Sequence, residues 1–291
     1  MSLSARMAYA STTSRLLSTQ MSAISMTDDP PSHSPREASK GRPATPQRVA
    51  IVTGGAGGIG FACAQRFATA GASVVIVDRD MQSALDAVQA LPRLELGHLA
   101  LAADVTSPGE VQGSVEATVG ALGSPAILVN CAGLLFPTRF LDISFEEWNE
   151  VIAVSMTGTF LFSQACLPGM IESRFGRIIN FSSTAGKSVS TLGGAHYTAA
   201  KAGVLGLTRA LAKEASEFGV TVNAVCPGLI DTEMVRGQCS RDELDAYARS
   251  FPVGRLGSPE EIADLVFFLA SSDAAYITGA SIDINGGDLL V

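Results

Sequence analysis

The sequence predicts an α/β fold: a single doubly wound parallel sheet of about seven strands, with helices on both faces. Three observations predict it. Short β-branched apolar runs recur from Arg48 to Ile284 and alternate with segments of helical period. These runs are apolar at successive positions, as strands covered on both faces must be. The first run leads directly into the glycine-dense turn Thr53-Gly-Gly-Ala-Gly-Gly-Ile-Gly60, which in turn opens a helix.

Taken in order, Arg48-Val-Ala-Ile-Val-Thr53 reads as a buried strand and residues 59–70 as the helix after the glycine turn. Ser73-Val-Val-Ile-Val-Asp78 is a second strand, followed by a helix over 82–91. Strands are predicted over 98–103 and 126–131, separated by a helix over 108–122 that starts at a proline. A long apolar helix over 145–174 precedes the strand Arg177-Ile-Ile-Asn-Phe181. A buried helix over 197–217 and the strand Val220-Thr-Val-Asn-Ala-Val225 follow. The last helix, 259–270, leads to the strand Ser281–Ile284. No internal repeat or second domain boundary interrupts residues 48–291, which read as one domain.

Residues 1–47 differ in composition. The stretch from Met1 to Met26 is rich in Ser, Thr, Ala and Met, carries Arg6 and Arg15, and has no acidic residue, as in an organelle transit peptide. Thr27 to Gln47 is dense in Pro, Ser and charge, which favours a disordered linker. The competing reading makes Met26 the true start and the upstream residues an over-called extension. The expected location is the cytoplasm, or an organelle matrix if residues 1–26 are a transit peptide.

Of the 291 residues 47% are hydrophobic and the formal net charge is −8. That is enough for one sizeable core, and the acidic balance argues against nucleic acid as partner. No apolar run approaches the roughly 18 residues needed to span a bilayer, so no membrane partner is expected. Five cysteines, Cys63, Cys131, Cys166, Cys226 and Cys239, are scattered and never paired as Cys-x-x-Cys. Four of them lie in apolar segments and read as core residues, and a reducing compartment is expected. His33, His98 and His196 are equally dispersed, structural or solvated, and no metal site is expected.

Three features carry chemistry. In the turn Gly54-x-x-x-Gly58-x-Gly60, glycine lets the backbone approach a pyrophosphate at a helix N-terminus. Asp78 ends the second strand, where a carboxylate accepts hydrogen bonds from an adenosine ribose and repels a 2′-phosphate. The turn offers no basic residue at 55–57. NAD(H) is therefore favoured over NADP(H), with Arg79 as the one nearby cation able to swing toward a phosphate. Tyr197-Thr-Ala-Ala-Lys201 places a phenol and an ammonium on one helical face. Lys201 is expected to lower the Tyr197 pKa from its usual value of about 10.

The glycine spacing and Tyr197-x-x-x-Lys201 resemble those of the classical short-chain dehydrogenase/reductase family. The resemblance covers about Arg48 to Gly287. It extends to Asp104-Val105, Val129-Asn-Cys-Ala-Gly133, Asn180-Phe-Ser-Ser183, Pro227-Gly-Leu-Ile-Asp-Thr232 and Ile277-Thr-Gly-Ala280, in the family's order. It implies a Rossmann-type sheet and a dinucleotide held by Gly54, Gly58, Ile59, Gly60, Asp78 and Arg79. Asp104 and Val105 are then expected at the adenine, with Asn130, Ala132 and Gly133 along the cofactor. Pro227, Gly228, Ile230 and Thr232 are expected near the nicotinamide carboxamide. By the same resemblance Tyr197 is the general acid/base, Lys201 biases it and bonds the nicotinamide ribose, and Ser183 polarises the carbonyl.

Two departures stand out. The interval from Ser183 to Tyr197 is one residue longer than the family's, which implies an extra residue in the loop 187–194. Counting back from Tyr197 would select Thr184; strand register selects Ser183. Where the family commonly has a proton-relay asparagine in the long helix, this chain has Ser155. Ser155 is a candidate participant, with an ordinary packing position as its alternative. The 231–251 stretch matches the family's substrate lid, in which Met234, Tyr247 and Phe251 suggest a partly apolar pocket. The expected activity is interconversion of a secondary alcohol and a ketone by NAD(H)-dependent hydride transfer. The alternatives are a 3-oxoacyl-thioester (acyl-carrier-protein) reductase or a non-catalytic nucleotide-binding scaffold. The resemblance also implies a homotetramer.

Overall fold

The computed structural model describes residues 48–291; the expectations for residues 1–47 lie outside them. Seven parallel strands form one sheet: β1 (Val49–Thr53), β2 (Ser73–Asp78), β3 (Leu99–Ala102), β4 (Ile127–Asn130), β5 (Gly176–Phe181), β6 (Val220–Pro227) and β7 (Ser281–Ile284). Their spatial order is β3-β2-β1-β4-β5-β6-β7. The order reverses between β1 and β4, which pair Thr53 with Asn130 at their carboxyl ends. In an open parallel sheet such a reversal leaves a crevice for a ligand.

Both faces are covered, which is why the strands read as continuous apolar runs. Ala50, Val52, Val74 and Ile76 pack under α1 (Gly58–Thr69), through Cys63 and Phe67. They share that layer with Ile262, Val266 and Leu269, which belong to the helix Pro259–Ala270. The alternate residues Ile51, Val75, Val77 and Leu128 face Val111 and Val115 of the helix Pro108–Leu122. On that side they also meet Phe162, Cys166 and Met170. Burying each such side chain contributes about 1.5–3 kcal/mol before conformational entropy is set against it.

The long helix runs from Phe145 to Glu172 but is not regular. Two α segments, Phe145–Ile152 and Gly158–Glu172, flank a π turn at Ala153–Thr157. The helix has 28 residues, and its most apolar window averages a hydropathy of 1.4 with 39% of residues buried. Among the described residues it is therefore long and apolar enough to cross a membrane by length and composition, which corrects the expectation that no apolar run approaches about 18 residues. Its acidic residues Glu146, Glu147 and Glu150 cluster in the first two turns and leave the rest nearly uncharged. Val151, Phe162, Cys166 and Met170 face inward, whereas Phe145 and Phe160 are exposed.

The helix bearing Tyr197 spans Ala195–Ala215, and two short helices, Glu233–Arg236 and Arg241–Ser250, follow β6.

Candidate active site

A cleft of about 680 Å³ opens at the carboxyl ends of the strands, over the β1–β4 reversal. Its floor is the glycine turn. Gly54 adopts φ +61, and a Cβ there would come within 2.9 Å of the Ala132 Cα. Its N–H donates to the Val77 carbonyl at 2.8 Å, so the turn is tied to β2. A Cβ on Gly60 would collide with the Gly54 carbonyl, so helix and turn pack backbone to backbone. Gly57, the residue before α1, offers no capping side chain to the helix N-terminus. This is a cradle of the kind a pyrophosphate requires.

Asp78 and Arg79 line the cleft at the tip of β2. The Asp78 carboxylate accepts the Ala56 N–H at 3.3 Å, which aims it across the turn. Gly58, Ile59, Asp104, Val105, Ala132, Gly133, Pro227, Gly228, Ile230 and Thr232 line the same cleft. Asn130 does not. It is buried beneath the floor, where its amide donates to Asn180 Oδ1 at 2.9 Å and to Ser163 Oγ at 3.1 Å. Side chains alternate along a strand, so Asn130 points into the helix layer while the backbone beyond it turns toward the cleft.

Ser183, Tyr197 and Lys201 meet at the cleft wall. The Ser183 hydroxyl hydrogen-bonds Tyr197. Thr184 also lines the cleft but begins a short 3₁₀ turn that Ser183 caps, accepting the Ala185 N–H at 3.1 Å. Burial pushes the Tyr197 phenol up to about 12, and the bond to Ser183 opposes that rise. The sequence reading had Lys201 lowering this pKa. In the structure its ammonium donates to the Phe181 carbonyl at 2.8 Å and lies 5.5 Å from the Tyr197 ring centre. Burial draws Lys201 itself down to about 8. Desolvation is the leading cause of both shifts.

Ser155 is buried in the π turn and does not line the cleft. Its Oγ accepts the Leu134 N–H at 3.3 Å. It stands close behind Lys201: a Cβ on Gly133 would lie 3.4 Å from the Lys201 Nζ and 3.7 Å from the Ser155 Oγ. Of the two expectations for His196, structural or solvated, the structure shows a buried residue that does not line the cleft. It is fully buried, with Nε2 at 2.7 Å from Glu147 Oε1. Of the three lid residues, Met234 lines the cleft. Tyr247 does not, and Phe251 faces a separate hollow of about 120 Å³.

Sequence reasoning missed Leu134, Leu135 and Leu192, which line the cleft from two loops. Their signal was apolar residues standing in segments with no regular period.

A glycine cradle at the reversal of a parallel sheet, with a serine, tyrosine and lysine on its wall, defines a nucleotide-binding oxidoreductase. The chain belongs to the short-chain dehydrogenase/reductase family. A family model described as enoyl-(acyl carrier protein) reductase matches residues 54–288. The 3-oxoacyl-[acyl-carrier-protein] reductase FabG of Vibrio cholerae is 39% identical over 244 residues, 84% of this chain and 98% of that one. The (3R)-3-hydroxyacyl-CoA dehydrogenase of Canis lupus familiaris is 40% identical over 248 residues, 82% of this chain and 95% of its own. The crystal structure of gox2181 superposes with a TM-score of 0.79 at 38% identity, covering 83% and 95% of the two chains.

Proposed function

We propose that this protein is an NAD(H)-dependent oxidoreductase that interconverts a 3-oxoacyl thioester and its 3-hydroxyacyl counterpart. The observation that carries the reading is the hydrogen-bonded Ser183–Tyr197 pair beside Lys201, in the same cleft as Asp78. A general secondary alcohol was the first expectation from sequence. The named relatives act on acyl thioesters, and they favour the narrower class. Leu134, Leu135, Leu192 and Met234 give the cleft apolar surface suited to an acyl chain.

When bound, a nicotinamide dinucleotide supplies the hydride to the carbonyl carbon, or takes it in reverse. The glycine turn and α1 would hold its pyrophosphate, and Asp78 its adenosine ribose. The protein's own work is the proton. Ser183 donates a hydrogen bond to the substrate oxygen as charge develops there, and Tyr197 gives that oxygen its phenolic proton. Lys201, fixed by Phe181, keeps positive charge near the phenol as it loses its proton.

We also propose a homotetramer, in which the exposed Phe145 and Phe160 of the long helix would be covered by a second copy. A cytoplasmic location follows the same reading. The test is acetoacetyl-CoA reduction followed by loss of reduced-nicotinamide absorbance, with NADH and NADPH compared, beside a panel of simple ketones. Turnover of simple ketones alone would refute the thioester assignment.

A further inference from the structure

Tyr197 sits in the first turn of its helix, where backbone N–H groups have no partner within the helix. The residue before that helix is Gly194, which has no side chain to cap them. The capping acceptor comes from inside the helix instead. The Tyr197 N–H donates to the ring Nδ1 of His196 at 2.8 Å. Nδ1 is then an acceptor, so Nε2 carries the hydrogen and donates it to Glu147 Oε1 at 2.7 Å. Glu147 also hydrogen-bonds the Thr138 side chain. The Gly194 N–H donates to the Phe136 carbonyl at 2.8 Å. One chain of contacts thus joins the loop that begins with Leu134 and Leu135, the long helix and the backbone of Tyr197.

We infer that His196 and Glu147 are positioning residues for Tyr197: Glu147 fixes the His196 tautomer, and the ring then fixes the Tyr197 amide and with it the phenol. Neither side chain lines the cleft. The pair acts through Tyr197 and through the loop above it. An ordinary buried histidine would satisfy both ring nitrogens too, but it would have no reason to spend one on the residue that delivers the proton. A displacement of about 1 Å at such a group is worth up to roughly a hundredfold in rate.

The inference rests on the proposed role of Tyr197, and the test separates the two. His196→Asn retains an acceptor at the δ1 position but loses Glu147. His196→Gln retains a donor that reaches Glu147 but has no acceptor for the Tyr197 N–H. We expect His196→Gln to lower kcat by roughly tenfold or more, with the dissociation constant for NADH unchanged, and His196→Asn to retain most of the rate. Should the His196 variants fold poorly, Glu147→Ala and Glu147→Gln make the same comparison, because the glutamine still accepts from Nε2. A merely structural pair would lower the melting temperature and leave kcat per folded molecule, and the pH profile of kcat, where they were. Equal losses in Asn and Gln variants, or no loss in any, would overturn the positioning role while Tyr197→Phe is inactive. Full turnover in Tyr197→Phe would overturn both readings at once.

Discussion

The Lys201 ammonium donates to the carbonyl of Phe181 at 2.8 Å, pinning the helix of the active-site tyrosine to the end of β5. The bond holds a charge in a buried position, and burial draws the Lys201 pKa from 10.5 to about 8. With about 1.4 kcal/mol per unit, that is roughly 3 kcal/mol of unfavourable burial at neutral pH. Removing the charge leaves the Phe181 carbonyl short of a donor, which costs about 1 kcal/mol or more. Lys201→Met should therefore unfold about 1–2 kcal/mol less readily at pH 7 in a urea titration, while turnover falls sharply.

The sign of the pH dependence follows from the same group. A lysine whose folded pKa lies below its unfolded value is less protonated in the folded protein between pH 8 and 10.5. The unfolded chain binds more protons there, so this residue's contribution to stability rises with pH across that window. Tyr197, raised from 10.0 to about 12, contributes in the opposite sense above pH 10. Denaturation midpoints at pH 7.5 and 9.5 should show a positive slope component in the unmodified protein that Lys201→Met lacks. An identical slope in the two would remove the buried ammonium from this account.

Tyr197→Phe deletes the proton and little else, since the ring and its packing stay. We expect kcat for acetoacetyl-CoA to fall by at least about a hundredfold. NADH affinity, read by fluorescence titration, should hold within about twofold, because the glycine turn and Asp78 lie apart from the phenol. The Ser183 hydroxyl would lose its partner at Tyr197, so Ser183→Ala in the same background should add little further loss.

Most of the cleft was legible because its residues are tied to regular elements. The glycine turn, Asp78 and Ser183 follow from strand ends, and Tyr197 and Lys201 from helical spacing. Asn130 was misplaced because its backbone neighbours line the cleft and only its side-chain direction differs. The role of His196 was hidden for a different reason. Its partner Glu147 lies 49 positions away on another helix, and no local period records that contact. The π turn at Ser155 was equally illegible, since one extra residue per turn leaves no mark on an apolar pattern.

Gly60 is constrained by the backbone opposite rather than by its own dihedrals. Its missing Cβ would collide with the Gly54 carbonyl, and backbone on both sides leaves nothing flexible to move. Gly60→Ala should separate α1 from the turn and weaken NADH binding by more than about tenfold, with a loss of about 1–3 kcal/mol in stability. Gly113→Ala, in the helix Pro108–Leu122, is the control, because a Cβ there meets nothing within 4 Å and the residue does not line the cleft. Equal binding by the two variants would show that the tight approach has no role in holding the dinucleotide.

On the proposed NAD(H) reading, cofactor choice turns on the carboxylate of Asp78. Its carboxylate is tied to the turn by a long bond from the Ala56 N–H at 3.3 Å, so replacing it should disturb the cradle by less than about 1 kcal/mol. Two like charges about 4 Å apart near a protein surface repel by roughly 4 kcal/mol per unit charge pair. A 2′-phosphate beside Asp78 meets that repulsion, whereas a ribose hydroxyl meets an acceptor. Arg79 lines the same cleft, and its charge is no longer offset by its neighbour once Asp78 is neutral. Asp78→Ser should therefore raise the dissociation constant for NADH by about tenfold and lower that for NADPH by about as much, bringing the two together. If the unmodified protein already binds NADPH as tightly as NADH, the repulsion is being relieved by Arg79 and the assignment to NAD(H) fails.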